Sequence, residues 1–541
     1  MPGHSLGDDP FDGSDRERWL ASDLRAKLRK VLLADDGPVL RFVGSGGETT
    51  VGMAAFAREA AGFLAACRQL GLGAGDVVAI AYPTGARPLA AWAGAVLGGL
   101  VPLFAPPNDP RAALRGPAEV RVVAGPEALA DTIRRRPLLS TWAPAEPEFD
   151  DAAAYTGVPA LLQRSSGTTG PHKPIAIDHR RALAQLWGLG RALELRRSDV
   201  IASFLPLHHD MGLVSTVLLP LCCGISLVRV EPRLWRADAT PWVWSIARHK
   251  ATLAWVPPAA LARLVRRVAP ADERAMGSLR QIVCGGEPLG AEVVDAFLGR
   301  FGAACKPEVI GAGYGAAENV AAITQTPVAR GARRLTAARD RLAIGRKVAT
   351  PEAGEAALTL LSCGVPIEGT TVMVLDADGR EVDDGVIGRL RLAGDCVAPG
   401  YLGDDHGAAL VDGGFDTGDI GLRDGGEIFV LGRADELIEL DGMLVLPHEA
   451  EAALADHDDI EPGRCAAVWS ERSGFAVLVE LRPARLFTSA EQLAAFVADV
   501  QDRVEARVGH RPRTVRVLPQ GSLLKSSSGK TARAANRDAL P

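Results

Sequence analysis

An α/β fold with more than one domain is predicted for this chain from three observations. Its 541 residues are about three to four times the length of a typical domain. Hydrophobic residues make up 47% and charged residues 23% of the chain, which is ordinary for a globular protein and unlike a disordered chain or a coiled coil. Up to about residue 365, short apolar segments alternate with segments of helical apolar spacing, which is typical of a parallel sheet covered by helices.

The alternation can be followed along the first part of the chain. Val51–Leu70 has helical spacing, and Asp76–Tyr82 is a short apolar strand. Pro88–Leu100 predicts a second helix, and Glu119–Val123 a second strand. Further strands are predicted at Ala160–Gln163, Val200–Phe204, Gln281–Cys284 and Glu308–Ile310, with helices at Arg180–Leu193 and Glu292–Phe301.

Beyond about residue 365 the pattern changes to short strands separated by turns. Asp376–Gly379 and Asp424–Gly426 are turn signals, so we expect a β-rich subdomain over about 365–432. The end of the chain predicts a small α+β unit, in which Thr488–Glu491 is a capping box before a helix that Gly509 ends. We therefore divide the chain into a large N-terminal domain, 1–432, and a small, mobile C-terminal domain, 433–541.

Charge, cysteines and hydropathy exclude several classes of protein. The net charge is −6, which does not suit a nucleic-acid binder. None of the eight cysteines lies in a CxxC pair, so no zinc site is indicated. The longest uncharged run, Pro88–Asn108, is broken by prolines and predicts a buried helix and strand rather than a membrane span. Met1–Ser14 lacks the regions of a signal peptide, so we expect a cytoplasmic protein.

A loop rich in hydroxyl groups and glycine follows one of the predicted strands. Hydroxyls and glycine amides concentrated in one loop can surround phosphate oxygens, and a nearby lysine adds a positive charge. The spacing is not that of a Walker A loop. The residues predicted to bind phosphate are Ser165, Ser166, Gly167, Thr168, Thr169, Gly170 and Lys173.

Three further segments carry polar groups suited to a nucleotide. Asp416–Asp419 contributes carboxylates that can accept both hydroxyls of a ribose, and Gly432–Glu436 brings an arginine. The tail segment Lys525–Thr531 contains two lysines among serines. Each segment is a weak signal alone, because turns and flexible tails of this composition are common.

The order of these segments is more informative than any one of them. The hydroxyl-rich loop is followed by Gly313–Glu318, Asp416–Asp419, Gly432–Glu436 and Ser528–Lys530. This order resembles the adenylate-forming superfamily, and the resemblance runs from about Gly44 to the end of the chain. That superfamily includes acyl-CoA synthetases, luciferases and the adenylation domains of peptide synthetases.

One branch of the superfamily, the fatty acyl-AMP ligases, resembles this chain best. Ser203–Leu213 and Cys284–Pro288 are similar to motifs of that branch. Leu335–Ala349, within about 325–350, resembles an insertion characteristic of it, and Leu361–Gly364 follows soon after. In that branch the insertion is associated with preference for a carrier-protein thiol over free coenzyme A.

The resemblance implies a reaction in two steps. A carboxylic acid attacks ATP to give acyl-AMP and pyrophosphate, and a phosphopantetheine thiol then takes the acyl group. ATP and Mg²⁺ are the implied cofactors, and an acyl carrier protein, or else coenzyme A, is the implied acceptor. The implied nucleotide ligands are Ser165–Gly170 and Lys173 for the phosphates, Gly285, Gly286, Glu287, Tyr314 and Gly315 around the adenine, Asp419 and Arg433 for the ribose, and Glu318 for Mg²⁺.

The resemblance also implies a moving lysine and an acyl pocket. Lys530 would bridge the carboxylate and the α-phosphate in the first step. In the second step the C-terminal domain would swing about Asp435, withdraw Lys530 and bring the Gly442 loop to the thiol channel. The sequence suggests no third metal ligand to accompany His208 and His209, so we interpret His209 as a residue of the acyl pocket. The implied pocket residues are His209, Met211, Trp255, Pro257 and Gly313.

Three departures from the family pattern leave alternatives open. Arg164 stands where the branch usually has a hydroxyl residue, Pro174 stands where the family has glycine, and Asp441–Leu444 lacks the usual Arg-Asn. A second interpretation is therefore an acyl-CoA ligase, including one that forms thioesters only from a supplied adenylate. A third is a nucleotide- or acyl-binding protein without turnover, which retention of Glu318 and Lys530 argues against.

Overall fold

The computed structural model describes residues 5–538 except 108, 116, 134–135, 151–154, 156, 166–172, 404–409, 412–413, 484 and 527–528. The predicted phosphate-binding residues Ser166–Gly170 lie outside the described residues. The α-helices in the described part are α1 Arg16–Leu20, α2 Leu24–Leu32, α3 Met53–Gln69, α4 Ala86–Leu97, α5 His179–Ala192, α6 Leu219–Cys223, α7 Pro232–Ala237, α8 Thr240–His249, α9 Pro258–Arg267, α10 Ala291–Phe301, α11 Pro447–Ala452, α12 Ala490–Val508 and α13 Arg533–Asp538.

The strands fall into sheets of unequal size. They are β1 Leu40–Gly44, β2 Gly47–Val51, β3 Val77–Ile80, β4 Val101–Phe104, β5 Val120–Ala124, β6 Leu138–Leu139, β7 Leu161–Arg164, β8 Pro174–Ile177, β9 Val200–Ser203, β10 Ser226–Val230, β11 Leu253–Val256, β12 Gln281–Gly285, β13 Ile310–Gly315, β14 Ala322–Gln325, β15 Arg334–Ala338, β16 Ala357–Leu361, β17 Val365–Pro366, β18 Thr370–Leu375, β19 Gly388–Gly394, β20 Leu410–Val411, β21 Gly414–Asp424, β22 Glu427–Arg433, β23 Ile438–Leu440, β24 Met443–Val445, β25 Ile460–Ser470, β26 Gly474–Leu481 and β27 Thr514–Leu518.

Two large sheets form the first part of the molecule. The larger has nine strands in the order β17-β14-β13-β12-β11-β9-β10-β1-β2, and its central strands β13, β12, β11, β9, β10 and β1 are parallel. The other has six strands in the order β6-β5-β3-β4-β7-β8, parallel except for the β7–β8 hairpin. The predicted α/β class, with helices packed on parallel sheets, is confirmed.

Smaller sheets make up the second part of the chain. Strands β18, β19, β21, β20 and β22 form a five-stranded antiparallel sheet, which is the β-rich region expected after residue 365. Strands β25, β26 and β27 form a three-stranded sheet that shares an apolar cluster with α12. The domain boundary near Gly432–Asp435 stays a prediction.

Two local predictions were wrong in detail. The predicted strand at Glu308–Ile310 begins only at Ile310, because Pro307–Val309 forms a 3₁₀ turn. The capping residue of α12 is Ser489 rather than Thr488, since the Ser489 side chain accepts from the Gln492 amide. Gln492 Oε1 in turn accepts from the amide of Thr488, the residue before the cap, at 2.9 Å.

No helix in the described ranges is long and apolar enough to cross a bilayer. From Pro88 onward, the uncharged run forms all but the first two residues of α4 and then β4, as expected. The cytoplasmic location stays a prediction.

Close packing of α3 against α4 depends on a glycine. A methyl group placed on Gly94 would overlap the carbonyl oxygen of Ala60 in α3 and lie 3.3 Å from Phe63. By contrast, the space around Gly299 in α10 is open, with nothing within 4 Å.

We expect Gly94→Ala and Gly299→Ala to change stability in opposite directions. Overpacking at Gly94 forces the helices apart and should lower the free energy of unfolding by about 1–3 kcal/mol. Gly299→Ala removes only backbone freedom and should raise it by about 0.5–1 kcal/mol. Urea titration of both variants measures the difference, and equal effects would contradict this account of the α3–α4 contact.

Candidate active site

The parallel strands of the nine-stranded sheet end at one edge, where α/β folds bind ligands. Gly286 and Glu287 directly follow β12, and Tyr314 lies near the end of the neighbouring strand β13. Pro257 follows β11 at the same edge and caps α9. Residues that are distant in sequence are therefore brought together by the strand order.

The predicted phosphate-binding segment lies in sequence between β7 and β8, which pair as antiparallel strands. Its two described ends are tied together: the Ser165 amide donates to the Lys173 carbonyl at 3.0 Å, and the Lys173 amide donates to Ser165 Oγ at 3.1 Å. Pro174 is the first residue of β8, a position where the missing N–H is tolerated. The proline that departs from the family pattern thus fits the hairpin.

Glu318, the predicted Mg²⁺ ligand, lies in a 3₁₀ turn just after β13. The hydroxyl of Tyr401 donates to Glu318 Oε1 at 2.7 Å. Burial raises the pKa of Glu318, and the bond from Tyr401 acts in the opposite direction. The carboxylate is therefore partly desolvated and held by a donor.

The backbone that follows Glu318 is strained. Val320 has φ +65°, which is unfavourable for a β-branched residue, and its side chain is fully buried. The Ala321 amide donates back to the Asn319 carbonyl at 2.7 Å, closing a three-residue turn, and also to Gln185 Oε1 at 3.2 Å. Such strain persists only where the surroundings over-determine it, so the direction of the Glu318 turn is fixed by packing.

A second carboxylate, Asp419, lies opposite in β21. The hydroxyl of Tyr314 donates to Asp419 Oδ2, and Arg433 Nη1 is 3.8 Å from Asp419 Oδ1. Burial raises the pKa of Asp419 to about 6, while Tyr314, Arg433 and the charge of Lys530 act to lower it. The predicted ribose residue Asp419 thus lies between the Tyr314 hydroxyl and the Arg433 guanidinium.

The tail lysine reaches the same place. A methyl group placed on Gly286 would lie 3.7 Å from Lys530 Nζ, so the ammonium group is beside the backbone that follows β12. The Lys530 amide donates to Ser526 Oγ at 3.2 Å, which holds the tail turn. Lys530 is therefore brought together with Gly286 and Asp419, three positions that the sequence predicted for one site.

The predicted acyl-pocket residues are only partly gathered. Gly285 is paired with Gly313, and a methyl group on Gly285 would lie 2.8 Å from the Gly313 carbonyl oxygen and 3.9 Å from Met211 Sδ. Trp255 is 2% exposed in β11, one strand away. Gly285, Gly313 and Met211 are therefore adjacent at the strand ends, whereas Trp255 lies in the next strand, level with Val283.

The imidazole rings of His208 and His209 lie next to each other, tilted by 51°. The ring centroids of His208 and His209 are 4.3 Å apart. Among the residues that the structure describes, no group of three or more His, Cys, Asp or Glu side chains could hold a metal ion. The interpretation of His209 as a pocket residue stays a prediction.

Sequence reasoning missed a buried arginine beneath this segment. Arg229 in β10 is 1% exposed, and burial lowers its pKa to about 10. Its guanidinium donates to Thr216 Oγ1 at 3.0 Å and to the Leu205 carbonyl. It therefore fixes both sides of the stretch that carries His209 and Met211. The only sequence signal is one arginine within the apolar strand Ser226–Val230.

Two cysteines lie beside the site. Cys284 directly precedes Gly285, and burial raises its pKa well above the usual range. Cys363 accepts at its carbonyl from Thr324 Oγ1 at 2.6 Å, and burial raises its thiol pKa to about 11. Both thiols therefore stay protonated at neutral pH.

The predicted hinge and channel residues lie near the start of the C-terminal region. Arg433 Nε donates to Asp435 Oδ1 at 3.3 Å, and Arg537 donates to the Asp435 carbonyl at 3.2 Å. Gly442, with φ +76°, lies in the turn between β23 and β24. Their roles in movement and thiol access stay predictions.

The segment resembling an insertion contacts the C-terminal helix α12. Arg339 Nη1 donates to the carbonyls of Ala506 and Arg507 at 3.2 and 3.1 Å, at the carboxyl end of α12. Arg507 Nη2 is in turn 2.7 Å from Glu292 Oε1 in α10. Two arginines therefore link the end of α12 to the first part of the molecule.

Comparison with known proteins agrees with this geometry. Residues 36–402, which hold Glu318 and both ends of the phosphate hairpin, match the family of AMP-binding enzymes. The chain belongs to the AMP-binding enzyme family. It is therefore an enzyme, and members of this family use ATP.

Relatives of this AMP-binding enzyme carry ligase names. Rv1013 of Mycobacterium tuberculosis, named as a ligase, is 31% identical over 390 residues, 69% of this chain and 70% of that protein. The long-chain-fatty-acid–AMP ligase FadD26 of Mycobacterium marinum is 26% identical over 85% of this chain and 86% of its own length. A fatty acyl-adenylate ligase structure, from a study of the Escherichia coli and Legionella pneumophila enzymes, has a TM-score of 0.86 at 23% identity, covering 96% of this chain and 98% of that one.

The raised pKa of Asp419 predicts pH-dependent nucleotide binding. A protonated carboxyl group accepts ribose hydroxyls poorly, so the Kd for ATP should rise about tenfold between pH 7 and pH 5. Calorimetric titration with ATP measures it, and Asp419→Asn should bind weakly without this pH dependence. The same pH dependence in Asp419→Asn would contradict the assignment.

Stability offers an independent check on Asp419. Because the pKa in the folded protein lies above that of the unfolded chain, the folded state binds more protons between about pH 4 and pH 6. Relative to Asp419→Asn, the parent should therefore lose stability as pH rises through that window.

Proposed function

We propose that this AMP-binding enzyme activates a carboxylic acid with ATP to form an acyl-adenylate and then transfers the acyl group to a phosphopantetheine thiol. The observation that carries the proposal is the position of Lys530. Its ammonium group lies beside Gly286, and its charge acts to lower the pKa of Asp419. A positive charge that the tail brings to a nucleotide site can reduce the repulsion between two reacting anions. The names of the relatives support the same chemistry.

The first step requires that a carboxylate approach a negatively charged phosphate. Catalysis of such a step is mainly positioning and neutralisation of charge. We assign Lys530 to the bridge between the acid and the α-phosphate, and Lys173 to the outer phosphates. Asp419 and Arg433 would hold the ribose, with the Tyr314 hydroxyl fixing the carboxylate.

Glu318 suits a magnesium ion carried by ATP. Mg²⁺ is usually held in nucleotide sites by one or two carboxylates plus substrate phosphates. A single carboxylate near the phosphate hairpin fits that pattern. When bound, the ion would neutralise phosphate charge, and the role of Glu318 is to fix its position.

We further propose a fatty or related acid as substrate and an acyl carrier protein as acceptor. Similarity to FadD26 along most of both chains supports the acid. The Leu335–Ala349 segment supports the acceptor, and Arg339 within it contacts α12. The departure at Asp441–Leu444 favours coenzyme A instead, so the acyl-CoA ligase is retained as the second candidate. We place the moving unit at 433–541, with Asp435 as its hinge and the Gly442 turn at the thiol channel.

Lys530→Ala should lower the rate of carboxylate-dependent pyrophosphate exchange by about a hundredfold or more, because one preorganised charge is lost at phosphorus. A panel of carboxylic acids read by adenylate formation supplies the substrate. Lys525→Ala is the matched control, since that lysine of the same tail donates to the Gly463 carbonyl at 2.6 Å. Exchange by Lys530→Ala at the parental rate would show that the lysine is wrongly assigned.

Separate reactions with coenzyme A and with a phosphopantetheinylated carrier protein identify which of the two accepts the acyl group. We expect acyl–carrier protein as the product in intact-mass spectra, with little acyl-CoA. Exclusive formation of acyl-CoA would exclude the carrier protein as acceptor and leave the adenylation step unaffected. Thioester formation only from added acyl-adenylate would instead exclude the first step.

A further inference from the structure

A short segment, Ala398–Leu402, ties together two parts of the nucleotide site. The Ala398 amide donates to the Glu318 carbonyl at 2.8 Å, and the Leu402 amide donates to the Pro174 carbonyl at 2.8 Å. Tyr401 also forms an isolated β-bridge with Ile175 of β8. We call Ala398–Leu402 the strap, since it bonds to the Glu318 turn at one end and to the phosphate hairpin at the other.

The side chain of Tyr401 makes the same connection. Its hydroxyl donates to Glu318 Oε1 at 2.7 Å, and the ammonium group of Lys173 lies 5.0 Å from its ring centroid. A cation at that distance from an aromatic ring is attracted by the ring. Lys173 directly precedes β8 of the six-stranded sheet, whereas Glu318 follows β13 of the nine-stranded sheet. One residue therefore holds two charged groups that arrive from different sheets.

We propose that Tyr401 is a positioning residue that orients Glu318 and Lys173 for the phosphates of magnesium ATP. The inference rests on the proposed function for the roles of those two side chains. The hydroxyl fixes the rotation of the Glu318 carboxylate, and the ring limits where the Lys173 ammonium can lie. Groups that orient a metal-binding carboxylate commonly change metal affinity by about 10- to 100-fold when removed.

The two contacts can be removed one at a time. Tyr401→Phe deletes the hydroxyl and keeps the ring, whereas Tyr401→Leu deletes both. Tyr82→Phe is the matched control, because the hydroxyl of that half-buried tyrosine donates to the Ser140 carbonyl at 2.8 Å. It loses a comparable bond that has no part in the nucleotide site. Thermal unfolding of each variant reports whether the fold is retained.

The readouts are the Mg²⁺ concentration for half-maximal pyrophosphate exchange, the KM for ATP, and the Kd for ATP with and without Mg²⁺. Tyr401→Phe should raise the half-maximal Mg²⁺ concentration roughly tenfold and change the Kd for metal-free ATP little. Tyr401→Leu should in addition raise the KM for ATP, since Lys173 is no longer held. A merely structural role would lower stability without separating Mg²⁺ from ATP dependence.

A double-mutant cycle with Glu318→Gln keeps the test decisive if one variant is unstable. Adding Tyr401→Phe to Glu318→Gln should change Mg²⁺ dependence no further, because the hydroxyl acts through that carboxylate. Tyr401→Phe with the Mg²⁺ dependence of Tyr82→Phe would overturn the proposal, as would additivity in the cycle.

The proposed function can fail separately from this inference. A parent enzyme that binds magnesium ATP but supports no exchange with any acid would exclude acid activation, while the binding measurements would still decide the role of Tyr401. A parent that binds no magnesium ATP would overturn both proposals.

Discussion

The arrangement of the site depends on the desolvated carboxylate of Asp419. Burial alone would leave that charge costly, and three groups from different parts of the chain act to lower its pKa: the Tyr314 hydroxyl, the Arg433 guanidinium and the Lys530 ammonium. They come from β13 of the nine-stranded sheet, from the end of β22 and from the tail. The buried negative charge of Asp419 thus attracts the ammonium group that the tail brings to the strand ends.

The opposite side of the site is also held by groups from different parts of the chain. Glu318 is kept in place by a strained turn at Val320 and by the strap that carries Tyr401. The strain and the partial burial both oppose folding locally, and the packing of two sheets compensates for them. Enzymes that stabilise developing charge benefit from groups that need not reorganise during the reaction. Fixed positions for Glu318 and Lys173 would suit the phosphate site that we propose for them.

Several charged residues of the candidate site were named from sequence because they occur in short, ordered segments. Glu318, Asp419, Arg433 and Lys530 could be named from those segments, although only folding shows that Lys530 reaches Gly286. Tyr401 carried no signal, since its partner Glu318 is 83 residues away and a glycine–tyrosine pair is ordinary. Arg229 also gave no sequence signal, because a strand pattern predicts an apolar residue at its buried position. In the fold, the parallel sheets followed from apolar periodicity, whereas the start of β13 shifted because Pro307 favours a tight turn.

The protonation state of the two thiols beside the site matters for the proposed chemistry. An acyl-adenylate is a mixed anhydride that any nearby thiolate would capture, and the thiolate rather than the thiol is the nucleophile. Because burial raises the pKa of Cys284 and Cys363, neither supplies a thiolate at neutral pH. In the proposed reaction, an acyl-adenylate near these sulfur atoms would therefore escape capture by the enzyme itself and persist until an external acceptor attacks it.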